Sequence, residues 1–131
     1  VFFLKRPGGQ SQFSAQLAGQ MAERDPLRDL QAWIIEHPDA AHTVEALAER
    51  MAMSPRHFSR VFTKQVGQSP ARFVERVRVG AARRSLEDSA KGIERVANDV
   101  GFGTAETMRR AFLRQLGVGP AAYRERFTRK A

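Results

Sequence analysis

The chain has 131 residues, 42% of them hydrophobic, and no cysteine; that length supports one compact domain with a short tail, or two very small subdomains. The hydrophobic share excludes a wholly disordered chain, and no run of about 18 apolar residues is present to span a membrane. The missing cysteines exclude disulfides, thiolate zinc sites and a cysteine nucleophile, and suit a reducing cytoplasm, while a net charge of +8 invites an anionic partner.

The charge is unevenly placed. Residues 50–84 hold nine Lys or Arg against one acid, Glu75, and residues 109–131 hold seven against Glu125, whereas segments 1–49 and 85–108 are each net −3. No signal peptide is visible, and the chain opens on Val1 rather than Met, so a fragment of a longer product is expected.

Residues 1–24 read as a strand remnant, VFFLK, followed by a Gly-, Ser- and Gln-rich linker. Asp25-Pro26 then supplies an N-cap and a proline at the first helical position, with Leu27, Leu30, Trp33 and Ile34 at helical spacing and His37-Pro38 as a stop. A second helix is capped by Thr43 and carries Val44, Leu47, Ala48 and Met51 on one face. Ser54-Pro55 opens a third with Phe58, Val61, Phe62 and Val66 inward, ending near Gly67. Ser69-Pro70 opens a fourth, longer helix with Phe73, Val77, Ala81 and Leu86 inward. The fifth follows Gly92 with Ile93, Val96, Ala97 and Val100; the sixth is capped by Thr104 and presents Met108, Ala111, Phe112 and Leu116. Gly119-Pro120 opens the seventh, with Tyr123 and Phe127 inward. The expected fold is all-α.

The chain also repeats itself. FTKQVGQSPARFVERV from Phe62 returns as FLRQLGVGPAAYRERF from Phe112, an offset of 50, whereas the preceding helices match at an offset of 49. One residue has therefore been inserted in the turn or at the start of the next helix. Each copy is a helix, a tight turn, a second helix and a Gly-x-x-Pro break into a supporting helix: a helix-turn-helix written twice. In such a unit the second helix packs the core with one face and enters the DNA major groove with the other. Arg56, His57, Ser59, Arg60 and Lys64 lie opposite the inward stripe of the third helix; Ala105, Glu106, Arg109, Arg110 and Arg114 do so on the sixth. Arginine can donate two hydrogen bonds to guanine O6 and N7, and a glutamate can accept from cytosine N4. Phosphate contacts ask less of geometry. Ser54, Ser69 and Thr104 stand at helix N-termini, and Lys64, Arg72, Arg76, Arg114 and Arg124 are candidate clamps. The fourth helix, about 18 residues and so roughly 27 Å long, can set the two readers about one DNA turn, ~34 Å, apart.

The doubled pattern, carried by LAERMAMSPRHFSRVFTKQVGQSPARFV and VANDVGFGTAETMRRAFLRQLGVGPAAYR, resembles the DNA-binding domain of AraC/XylS-type transcriptional regulators over residues 26–128. The resemblance implies seven helices in two helix-turn-helix subdomains, at about 43–66 and 93–116, joined by a long linking helix at about 70–88. By position it makes Arg56, Ser59 and Arg60 the base readers of the first copy, and Ala105, Glu106, Arg109 and Arg110 those of the second. Ala105 stands where family members often carry a longer polar side chain. FFLKRPGGQSQFS is similar to the end of the amidotransferase-like sensor domain of one regulator subgroup, and residues 129–131 form a basic tail. The implied partner is double-stranded DNA, with RNA polymerase a partner of the full regulator. The expected locale is the cytoplasm, on the bacterial nucleoid when bound; the fragment is expected to be monomeric and the full regulator able to dimerise. No cofactor, metal or membrane contact is implied.

Other readings fare worse. No Ser-His-acid order, paired carboxylates or metal cluster can be assembled for an enzyme, and His37 and His42 make a weak metal site at best. Pro7-Gly8-Gly9 is too short to cradle a phosphate. Arg83 and Arg84 read as solvated surface or phosphate contacts. A non-specific RNA or membrane binder would not need paired inward and outward faces in both copies.

Overall fold

The computed structural model describes the backbone of residues 25–130 and the side chains of residues 25–127, so the readings made of residues 1–24 and of the basic tail lie outside the described residues. Among the described residues there are seven helices and no strand: α1 (Pro26–Glu36), α2 (Val44–Arg50), α3 (Pro55–Val66), α4 (Pro70–Asp88), α5 (Ile93–Asp99), α6 (Ala105–Leu116) and α7 (Pro120–Lys130). Two compact units divide within α1, one ending at Leu30 and the other running from Gln31 onward. Of the first, residues 25–30 are described: the Asp25 carboxylate accepts from Leu27 N (3.0 Å), and Leu27 and Leu30 are buried. The rest of the fold belongs to the second unit.

Each helix begins and ends where its local chemistry requires. Thr43, Ser54, Ser69 and Thr104 sit in extended backbone, and each hydroxyl accepts from the amide three residues on, satisfying one of the orphan donors of the first turn. α3 and α6 both stop at a left-handed glycine, Gly67 (φ 92°) and Gly117 (φ 78°), a conformation in which a Cβ is penalised. Pro55 and Pro70 stand at the first helical position, where no backbone donor is missed.

The duplication is copied in space. Phe58 and Phe62 of α3, and Met108 and Phe112 of α6, are fully buried. Phe62 meets Phe73 edge-on at 5.7 Å, and fifty residues later Phe112 meets Tyr123 in the same way at 6.0 Å. The inserted residue is Gly103, which lies in the turn. Met53 N in the first copy and Phe102 N in the second each donate to the alanine five residues back, and Gly103 N then adds a second bond to the same Ala97 carbonyl. The left-handed turn position is Ala52 (φ 58°) in the first copy and Gly101 (φ 99°) in the second.

α4 packs against α3, α5, α6 and α7, and its inward face differs from the one expected. Pro70, Val74, Val79, Ala82 and Leu86 are buried, whereas Phe73, Val77 and Ala81 are half-buried. The buried positions are spaced about four apart rather than 3.6, so the stripe winds around the helix as it proceeds. Such a stripe serves two partners in turn, and Val79, Ala82 and Leu86 join the second core with Val96, Ala97, Val100, Met108, Phe112 and Tyr123. Phe127, expected inward, is 38% exposed; its ring leans on Tyr123 at 4.8 Å.

Arg78, near the middle of α4, ties the linking helix to the segment before α2. Its Nε donates to the Pro38 carbonyl (2.8 Å) and its Nη2 to that of Ala40 (3.0 Å). Burial pulls its pKa down, and Asp39 opposes that. The turn of the second copy closes on the same place: a Cβ on Gly101 would lie 2.5 Å from Pro38 O and 2.7 Å from Arg78 Nε. Beside this junction His42 is buried, its Nε2 donating to the His37 carbonyl at 2.7 Å, while its Nδ1 has no hydrogen-bond partner. Trp33 stacks on His37, meets His42 edge-on and carries the Arg50 guanidinium 3.6 Å above its ring. The two histidines thus form part of an aromatic corner around Trp33.

Gly101→Ala is expected to cost more than the about 1–2 kcal/mol of a left-handed alanine, because the new methyl also meets backbone, whereas Gly117→Ala carries the conformational cost alone, its Cβ facing open space. Urea unfolding of the two variants checks this, and equal losses would mean that the junction yields. Burial also holds the His42 pKa below its ordinary 6.5, with the His37 carbonyl opposing. The unfolded chain therefore takes up this proton first, so the contribution is present above about 6.5 and is lost as pH falls through the lower folded value. Wild type should lose stability between pH 7 and 5.5, and His42→Gln, which keeps a donor near the His37 carbonyl, should lose less; urea midpoints followed by Trp33 fluorescence read the difference.

Candidate nucleic-acid interface

Burying an aromatic or methionine stripe on one side of a recognition helix leaves the opposite side to polar residues. On α3, Arg56, His57, Arg60 and Lys64 are exposed and Ser59 is half-buried. Arg60 Nη2 donates to His57 Nδ1 (3.1 Å), so the two candidate contacts one turn apart are joined. On α6, Glu106, Arg109, Arg110 and Arg114 are exposed and Ala105 is half-buried. The structure therefore puts the candidate base readers of each copy on one outward face.

The two faces differ in electrostatics. Glu106 accepts from Arg109 Nε (2.9 Å) and Nη2 (2.7 Å), and from Arg110 Nε (3.1 Å). These bonds, Arg109's first, hold its carboxyl down to about 2. The position matching Glu106 in the first copy is Arg56, so the first face carries a further positive charge where the second carries a carboxylate that offsets one of its two neighbouring arginines.

The candidate phosphate contacts fall into four groups. Ser54, Ser69 and Thr104 use their hydroxyl oxygens to cap their own helices, and the Thr104 hydroxyl also pairs with that of Thr107 at 2.9 Å. Arg72, Arg76 and Arg114 line one cleft between α4 and α6, together with Arg83, while Lys64 stands apart from it in the last turn of α3. Arg124 is placed differently: its Nε donates to the Leu86 carbonyl and its Nη2 to that of Ser89, both at 3.2 Å, which bolts α7 to the end of α4.

Two residues that sequence reasoning did not single out organise this surface. Glu75 of α4 accepts from Arg114 Nη2 (2.9 Å) and Nε (3.2 Å) and from Gln115 Nε2 (3.0 Å). Burial pushes the Glu75 carboxyl up, but the bonds from Arg114 and Gln115 and the nearby guanidinium charges bring it net below its ordinary value. The supporting helix of the first copy thereby grips the reading helix of the second. The signal was in the sequence, since Glu75 is the lone acid of a block with nine basic residues. Glu87 is the other: it accepts from the Tyr123 hydroxyl, which in turn accepts from Arg83 Nε at 3.0 Å, so Arg83, though exposed, is tied to Tyr123.

A family model described as "Helix-turn-helix domain" matches residues 47–126. The chain is 54% identical over 87 residues, 66% of its length, to the HTH-type transcriptional regulator Rv1931c of Mycobacterium tuberculosis, but spans only 34% of that protein. It is 28% identical to the regulatory protein SoxS of Escherichia coli K12, covering 81% of this chain and 99% of SoxS. Among solved structures, the DNA-binding domain of the global transcriptional factor AdpA, in complex with a target DNA, superimposes with a TM-score of 0.77 at 39% identity, covering 82% of this chain and 96% of that one. The C-terminal domain of AraT, a response regulator from Geobacillus stearothermophilus, gives 0.71 at 28% identity over 76% and 84%. With more than half its length matched by the family model and its seven helices laid out as in these domains, the chain belongs to the AraC-type helix-turn-helix family of DNA-binding transcription regulators.

Proposed function

We propose that residues 25–128 form a sequence-specific module for double-stranded DNA, in which α3 and α6 enter successive major grooves on one face of the duplex. The observation that carries this reading is the doubled surface: each copy sets an outward arginine-bearing face opposite a buried aromatic stripe, and a 19-residue helix joins the two. At ~1.5 Å per residue that helix is roughly 28 Å long, close to the ~34 Å between successive grooves. The AdpA domain, similar in fold and sequence, is known with a target DNA.

In this reading Arg56, Ser59 and Arg60 read bases from the first motif, and Arg109 and Arg110 read them from the second, beside Ala105 and Glu106. Lys64, Arg72, Arg76 and Arg114 take phosphates, aided by the amides at the Ser54, Ser69 and Thr104 caps. Arg124 acts as a strut. In a longer regulator the module would work in the cytoplasm beside RNA polymerase, with dimerisation contributed by other parts of the protein and this piece monomeric alone.

Selection of duplexes from a random pool, followed by affinity against salt, tests the reading. One asymmetric site with two contact blocks about one turn apart is expected, outcompeting RNA and anionic vesicles; a steep salt slope with no enriched sequence would sink it. Arg60→Ala should cost about 1–3 kcal/mol on that site and relax preference at particular base pairs; an equal loss on every duplex would make Arg60 a phosphate contact. Arg124→Met should lower the melting temperature and leave the salt slope unchanged. A slope shallower by about one would return Arg124 to the phosphate clamps.

A further inference from the structure

A guanidinium is a flat group with five N–H donors, arranged as a side edge (Nε and one Nη) and an end edge (both Nη). Glu106 takes the side edge of Arg109 bidentately, Oε1 receiving Nε (2.9 Å) and Oε2 receiving Nη2 (2.7 Å). The outer hydrogen of Nη2 and both hydrogens of Nη1 are untouched by this pair. That end edge is the fork whose spacing matches guanine O6 and N7. Arg109 is about half exposed, so the held group sits at the surface rather than folded into the core.

Arg110 is held otherwise. It meets Glu106 through Nε alone at 3.1 Å and is the more exposed of the two, at 65% against 51%. One bond leaves a long side chain free to turn about it, whereas two parallel bonds fix the guanidinium plane. The carboxylate therefore treats its two arginines unequally, and only Arg109 is oriented.

We propose that Glu106 is a positioning residue: it clamps the side edge of Arg109 so that the end edge reads a guanine in the groove of the second motif, and it reads no base itself. This rests on the reading that α6 enters the major groove. The arrangement accounts for an acidic residue on a face meant to approach phosphates, since its charge is spent on two neighbouring arginines. An arginine already fixed in one plane also loses less rotamer freedom on binding. The device belongs to the second copy alone, because Arg56 and Ser59 stand at the positions of Glu106 and Arg109 in the first. The two motifs would then be unequal by construction, one reading without a bidentate carboxylate clamp and the other with an arginine braced by one.

The test uses the selected duplex with all four bases placed in turn at each pair of the second half-site. Four proteins are compared: wild type, Arg109→Ala, Glu106→Gln and the double variant. Glutamine keeps the shape but puts an N–H donor where one carboxylate oxygen stood, so the bidentate clamp is lost. Arg109→Ala should erase a guanine preference at one base pair. Glu106→Gln should weaken the preference at that same pair by about tenfold, leave the other pairs unchanged, leave random-duplex affinity equal or higher, and add nothing when Arg109 is already alanine. If Glu106→Gln instead shifts preference at a different pair, Glu106 reads a base directly and the proposal falls. It also falls if Glu106→Gln changes no preference at all. A wild-type protein with no base preference anywhere in the second half-site would overturn the groove reading underneath, and this inference with it.

Discussion

The two helix-turn-helix copies stand in a fixed relation only through what joins α3 to α6, and that relation runs through α4. Helix geometry supplies the length, but a helix is only as useful a ruler as its attachments are firm. Arg78 gives one attachment, with two charge-assisted bonds to the carbonyls of Pro38 and Ala40, which are stronger than neutral ones. Glu75 gives another, holding Arg114 and Gln115 of α6, and Arg124 a third, at the far end. Each joins residues some 35–40 positions apart in the chain. Polar bonds suit this task because their directionality fixes angles that an apolar contact would let slide.

The duplication explains why the fold is so regular and also where it is not. Caps, left-handed glycines and the edge-on aromatic pair recur at an offset of 50. The departures cluster where the second copy meets the rest of the molecule. Gly101 replaces the strained Ala52 because Pro38 and Arg78 leave no room for a methyl. Gly103 adds a residue to the adjoining turn, in a backbone conformation (φ 85°) that suits glycine. A repeat can be copied freely only as far as its neighbours are copied too, and among the described residues the Arg78 junction has no twin.

Much of the fold was legible in the sequence because it is written in local chemistry. Ser54-Pro55, Ser69-Pro70, Gly67 and Gly117 mark helix ends through short-range hydrogen bonds and backbone sterics, so their neighbours alone decide them. The core positions of α3 and α6 were equally plain, since each helix packs one continuous stripe. α4 was misread in part: Phe73, Val77 and Ala81 follow one face, but a helix shared by two cores buries a winding stripe, and periodicity presumes a single partner. Phe127 was misjudged: its ring leans on Tyr123 yet stays 38% exposed, a balance that spacing alone does not set. The outward faces of the candidate site were legible for the same reason as the core. The partners of Glu75, Arg83, Arg109 and Arg124 were not, since which donor reaches which acceptor depends on side-chain conformation and on residues far away in sequence.

These long-range pairings change what the net charge means. Counting basic residues treats Arg60, Arg78, Arg114 and Arg124 as equivalent contributors to an attraction for anions. In the fold Arg78 and Arg124 are turned toward carbonyls, Arg114 shares its charge with Glu75, and Arg109 and Arg110 share Glu106. The more positive of the two outward faces is that of α3, where Arg56, Arg60 and Lys64 stand with no acid on the same helix. The attraction for a distant phosphate is therefore stronger at α3, while on α6 Glu106 offsets part of the arginine charge and leaves more to close contact.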